Sequence, residues 1–273
     1  MSTGTRTVSA APRRGSCGVR AALAPIALLA VASCSPRVTS VEARPAAGAL
    51  RLDLPTALES QRDAYRADIA AALERVGGFF HTAGFDLAGD ALVDSAVVFE
   101  STARARESLA TLDGIPVATV PVTFSGTVEG RRLFLVSREA YRENWQALYS
   151  DWSWTDVTYR QLVVHELTHR AHEVVATSRY GSAEAMGPVW FFEGLAVACA
   201  GQFDDGQPLM TRTEIENAVG SGRMPPVSYP LYGRIVRALA REYGWQALIE
   251  GASRPGFPDA LWARRRPEGT PRE

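Results

Sequence analysis

Apolar residues at Leu58, Tyr65, Ile69, Leu73, Val76 and Phe80 recur at helical spacing. That pattern predicts an amphipathic helix opened by Pro55-Thr56 and running to about Phe80. Gly77-Gly78 should weaken its last turn. Residues 92–100 (LVDSAVVFE) read as a strand, and Ala103 to Leu112 as a short helix. Residues 116–124 (PVATVPVTF) are rich in β-formers, with Pro121 marking an edge or a break. Gly126 to Ser137 reads as a hairpin that turns at Glu129-Gly130 and returns along Arg132 to Val136. Ser137 then caps a helix from Arg138 to about Tyr149. After the turn-like DWSW segment, Thr155 is placed to cap a long helix from Asp156 to about Val175. Gly187-Pro188 opens another helix through Phe203; a further helix starts near Thr213, and a last one spans about Pro230 to Tyr243. One helix, a few strands and then mostly helices make an α+β domain, with a small mixed sheet and a mainly helical C-terminal part.

The N-terminus breaks this pattern. Residues 1–20 carry Arg6, Arg13, Arg14 and Arg20 and no acid, and Ala21 to Ala32 form an apolar run. The run has the length of a signal-peptide core and is too short to span a bilayer. It ends in Val31-Ala32-Ser33-Cys34, which resembles the bacterial lipobox, where a small residue precedes a cysteine that becomes the lipidated N-terminus. The expected organisation is a signal peptide over 1–33, a tether over 34–54, one domain over 55–263 and a disordered tail over 264–273. The protein would then be exported and face the periplasm or the exterior, held to the membrane by lipid on Cys34. Arg13-Arg14 is not followed by residues that support a twin-arginine signal. Ser35 lacks the aspartate associated with inner-membrane retention.

Composition narrows the partners. With 29 basic and 30 acidic residues the formal charge is -1, so no broad attraction to nucleic acid or anionic lipid follows. The 273 residues, 46% hydrophobic, suffice for one domain with a core. Three cysteines (Cys17, Cys34 and Cys199) do not make a disulfide framework. Cys199, in an apolar run, reads as a buried inert thiol.

The central chemical signal is His165-Glu166-Leu167-Thr168-His169, an HExxH motif inside the predicted long helix. Residues i and i+4 lie about one turn apart on one helix face, where two imidazoles can bind one tetrahedral zinc. Glu166 projects beside the first histidine, close to the water-filled fourth position, and can take a proton from that water.

Such a site needs a third ligand. His172 shares the helix face but sits about 10.5 Å along the axis from His165, and two ligands of one zinc lie within about 4 Å. His172 is therefore expected at the surface or behind the ligands. Position 172 is not glycine and position 175 is Val175, which excludes the metzincin pattern. Glu193, in Trp190-Phe191-Phe192-Glu193-Gly194-Leu195-Ala196, is the better candidate, since a carboxylate among aromatics is costly to bury unpaired. The alternative is a half-exposed glutamate stabilised by a helix N-terminus. His81, after Phe79-Phe80, reads as a surface or partly buried histidine.

HELTH followed 24 positions after its second histidine by WFFEGLA resembles the gluzincins, in particular bacterial peptidases of the MA-like group. The resemblance runs from about Leu58 to Ile249, with only the two motifs specific. It implies a zincin-like fold and a zinc-dependent peptidase. It makes His165, His169 and Glu193 the ligands of one Zn2+ and Glu166 the general base. It also makes Arg132 to Val136 the sheet-edge strand that lines the cleft and pairs with extended substrate. The aspartate that the thermolysin branch places four residues past its glutamate ligand is Val197 here, so any partner of the ligands lies elsewhere. Related sequences carry a tyrosine at the start of a late helix, which points to Tyr229, with Tyr232 second, as the hydroxyl that stabilises the oxyanion. The absence of a GAMEN segment leans toward an endopeptidase. Two other readings stand beside this one: a membrane-tethered zincin-fold protein that binds peptides without cleaving them, and a structural lipoprotein with no metal.

Overall fold

A computed structural model describes residues 50–87, 92–220, 228–254 and 256–262 of the chain. The expected signal peptide, Cys34 and the tail over 264–273 lie outside the described residues, as does most of the expected tether. The end of that tether belongs to the domain: Arg51–Asp53 forms strand β1. It pairs in parallel with β2 (Ser95–Phe99), which pairs in parallel with β4 (Arg132–Val136), and β3 (Gly126–Glu129) runs antiparallel to β4. The order β1-β2-β4-β3 makes a four-stranded mixed sheet, and the fold is α+β and mostly helical.

That order corrects one expectation. β4 is an interior strand, and the edge beyond it is β3, the first arm of the hairpin. The reason lies in the residues. Leu133-Phe134-Leu135-Val136 are all buried, as a strand covered on both faces requires, whereas Gly126 to Glu129 are each only partly buried. A second correction concerns residues 116–124, which form no strand. They hold a short 3₁₀ turn over Val117–Thr119, and Arg106 donates to the carbonyls of Val117 (3.1 Å) and Val120 (2.9 Å). Two prolines without N–H groups and two carbonyls already paired leave little for a ladder.

The helices follow the sequence pattern more closely. Thr56–Gln61 is a 3₁₀ turn that leads into α1 (Arg62–Thr82), which passes through Gly77-Gly78 unbroken. Helix α2 (Thr102–Asp113) starts at Ser101, whose side chain accepts from the Arg104 N–H, and ends at Gly114. Helix α3 (Arg138–Leu148) starts at Ser137, whose hydroxyl accepts from the Ala140 N–H. Helix α4 (Thr158–Tyr180) starts two residues later and ends about five later than the pattern suggests, at Gly181 with φ 79°. Thr155 does not cap it. Instead the Thr155 N–H donates to the Thr158 hydroxyl at 2.9 Å. Helices α5 (Val189–Ala200), α6 (Arg212–Gly220), α7 (Tyr229–Tyr243) and α8 (Trp245–Ala252) complete the domain's helical half, with a short α9 (Asp259–Trp262) behind them. Among the described residues no helix is long and apolar enough to cross a membrane.

Packing sets α4 at the centre. It lies between α1 and α5 and touches the hairpin, and α5 in turn packs on α7. The Tyr159 hydroxyl ties the start of α4 to the Val136 carbonyl at the end of β4, at 2.9 Å. Nearby, buried Asp68 of α1 pairs with Arg138 and with Arg160 (3.1 Å), and the Arg138 guanidinium lies over the rings of Tyr65 and Tyr159. A buried carboxylate shared by two arginines locks α1, α3 and α4 together, and removing it would leave two cations unpaired.

Candidate metal centre

On α4, His165 and His169 stand one turn apart with ring centroids 4.8 Å apart. Their Nε2 atoms approach to 3.1 Å. Glu193 comes from the second turn of α5, a helix started at Pro188 and so apolar that it is buried on nearly every side. Its Oε2 lies 3.2 Å from His165 Nε2 and 3.4 Å from His169 Nε2. The alternative of a half-exposed glutamate does not hold, because Glu193 is 8% exposed and faces the two rings. Their ligand atoms all lie within 4.8 Å of one another, and the group can hold a metal ion.

The electrostatics match the geometry. Burial by itself would raise the Glu193 carboxyl, but the charge of His169 and hydrogen bonds from both histidines outweigh it and hold the pKa at about 2. Burial pushes down on His169, and Glu193, by charge and hydrogen bond, then Glu166 more than offset this and raise it. Glu166 is raised, chiefly by burial, with the two histidines opposing and Glu193 adding to the shift. Beside it lies the edge strand: a Cβ built on Gly126 would come within 3.0 Å of Glu166 Cγ. Any larger residue there would press on the Glu166 side chain and on Leu135.

Tyr229 opens α7, and its ring lies 5.4 Å from that of His165. The Glu193 carboxylate first, and burial second, push its hydroxyl well above the ordinary phenol range. Tyr232, one turn on, is buried in the core, and of the two tyrosines it is Tyr229 whose ring stands against His165. His172 is not at the surface. It is 1% exposed, edge-on to Phe191 at 5.8 Å, with neither ring nitrogen hydrogen-bonded among the described residues. His81 is exposed and meets Asp86 at 2.8 Å, far from this chemistry in character. Cys199 is buried and free, its thiol pushed up to about 11 chiefly by burial.

Two residues join the centre that the sequence pattern does not mark. Gln202, 4% exposed, places its Oε1 2.9 Å from His165 Nδ1. Tyr149, just past α3, packs against Tyr229 with centroids 6.4 Å apart, and burial together with Glu193 raises its hydroxyl. Gln202 falls in the expected helix through Phe203 but lies in a turn, because α5 ends at Ala200, and Tyr149 looks in sequence like the end of a helix; neither carries a local signal. No family model, curated protein or solved structure matches this chain.

Proposed function

We propose that the chain is a gluzincin-type zinc metallopeptidase, an endopeptidase exported as a lipoprotein anchored through Cys34. The observation that carries this reading is the spacing of the three ligand atoms. Tetrahedral zinc with bonds of about 2.0–2.1 Å places its ligand atoms roughly 3.3 Å apart. The contacts among His165 Nε2, His169 Nε2 and Glu193 Oε2 are 3.1, 3.2 and 3.4 Å. Two imidazoles and one carboxylate leave one position of a tetrahedron for water or substrate, the arrangement of a catalytic rather than a structural site.

A bound zinc ion would polarise the scissile carbonyl and make water acidic enough to attack at neutral pH. Glu166 accepts the proton of the attacking water and returns it to the amine nitrogen as the C–N bond breaks. Its raised pKa suits both halves of that exchange. Tyr229 stays protonated at neutral pH and so can donate its hydroxyl hydrogen to the oxyanion that forms on the carbonyl oxygen. An extended peptide pairs with β3, the sheet edge nearest Glu166, which has no second neighbour among the described residues. The zincin-like fold belongs to the same proposal.

The test is metal content by elemental mass spectrometry on the purified protein and on Glu193→Ala, followed by a peptide-library cleavage screen. About one zinc per chain, lost in the variant, with cleavage by the wild type, is the expected result. Folded protein that takes up no added zinc would sink the reading. Zinc without cleavage would leave a peptide-binding protein.

A further inference from the structure

Gln202 lies just beyond the C-terminus of α5, after Gly201, which ends that helix with φ 67°. The next residue, Phe203, is held at φ 52°, a left-handed conformation uncommon for a bulky side chain. Three contacts hold the turn. Arg237 of α7 donates to the carbonyls of Gln202 (3.3 Å) and Phe203 (3.1 Å). The Phe203 ring stacks on Trp145 at 5.2 Å with 2° between planes. The Gln202 N–H reaches back to the Val197 carbonyl at 3.1 Å. With its backbone fixed, the Gln202 side chain meets His165 Nδ1 at 2.9 Å.

We infer that Gln202 is the positioning residue of the metal centre, which fixes the tautomer and ring orientation of His165 and thereby sets metal affinity. The inference rests on the metal-binding part of the proposed function. Nε2 of His165 faces His169 and Glu193, so a metal there needs Nε2 bare and the ring proton on Nδ1. The amide oxygen of Gln202 is the acceptor that holds that proton. Loss of such an outer partner weakens metal binding, and a carboxylate in its place makes the imidazole a stronger donor to the metal. Gln202 is a neutral acceptor, so it orients the ring without adding a third buried negative charge to Glu166 and Glu193. The residue that would do this in the thermolysin pattern is Val197, which packs against Gly233 of α7 instead. Gln202 instead stands on a turn that Arg237 secures.

The test compares wild type, Gln202→Leu and Gln202→Glu in zinc affinity by chelator competition. The His165 Nδ1–H signal of the zinc-loaded proteins, by NMR, is the second readout. Leu should weaken zinc binding by about 10–100-fold and abolish the slowly exchanging Nδ1–H signal. Glu should bind zinc at least as tightly as wild type and keep the signal. Wild-type affinity in the Leu variant overturns the inference, and so does equal weakening by Leu and Glu. Wild type that binds zinc yet cleaves nothing removes the peptidase reading alone and leaves the role of Gln202 in place. Wild type that takes up no zinc overturns the metal centre and this inference together.

Discussion

Gly194 of α5 lies directly against the main chain of Tyr232 in α7: a Cβ there would sit 2.5 Å from the Tyr232 carbonyl oxygen. Gly233 repeats the arrangement from the other side, where a Cβ would fall 2.4 Å from Val197 Cγ1. The two glycines allow α5 and α7 to cross at close range. One result is that Tyr229, at the start of α7, reaches His165, while Glu193 keeps its place one residue before the crossing.

Gly194→Ala should therefore force the helices apart. The clash is with backbone, which cannot rotate away, and overpacking of this kind typically destabilises by about 1–3 kcal/mol. For a domain of this size a melting-temperature loss of roughly 2–4 °C per kcal/mol is expected. Gly77→Ala is the control. It lies inside α1 with nothing within 4 Å of a new Cβ, so it should stabilise by about 0.5–1 kcal/mol. Thermal unfolding of both variants checks the pair. Equal responses would mean that close approach is not what Gly194 provides.

Glu166→Gln separates chemistry from metal binding. Glutamine preserves the shape beside Gly126 but cannot accept the proton. Turnover should fall by about 10²–10⁴, with zinc content unchanged. Peptide cleavage at the wild-type rate by a zinc-loaded variant would remove Glu166 from the reaction.

Tyr229→Phe tests the hydroxyl alone. It should lower kcat by about 10²–10³ while zinc content stays the same, the loss expected for one oxyanion donor. Tyr232→Phe should leave kcat near wild type, because Tyr232 sits in the core one turn away. Kinetics on both variants decide the assignment; a larger loss for Tyr232→Phe would reverse it.

The parts of the site that sequence makes legible are those governed by one helix. The i, i+4 spacing places His165 and His169 together, and the cost of burying Glu193 points to its partners before any fold is known. What stays hidden depends on how separate elements cross. Gln202 and Tyr149 meet His165 and Tyr229 only because α7 and α3 close on α4 and α5. The strand order is hidden for a similar reason, since either arm of a hairpin can join a sheet. Four consecutive apolar residues in β4 mark it as interior, and the partly buried β3 is left to be the edge. Residues 116–124 read as β-rich on propensity, but Arg106 of the preceding helix claims two carbonyls that a strand would use. The long helix runs past Val175 because Gly181, not a local change of pattern, ends it.

His172 carries the last prediction. Burial, and secondarily His169, depress its pKa from 6.5 to about 3, so the folded chain holds it neutral. The unfolded chain takes up a proton at this residue between those two pH values and the folded chain does not. Its contribution to stability is thus fully present above pH 6.5 and is lost as pH falls toward about 3. The slope is about 1.4 kcal/mol per pH unit within that window. His172→Leu removes the titration along with two nitrogens that are unpartnered among the described residues, whose burial is itself unfavourable by about 1–3 kcal/mol. The metal-free variant should be at least as stable as wild type at pH 7. From pH 6.5 to pH 5 its advantage should grow by about 2 kcal/mol. Urea unfolding of both proteins in chelator at the two pH values measures that double difference directly. Other titrating groups are common to both chains, so parallel pH dependences would show that His172 is protonated in the folded protein or is reached by water.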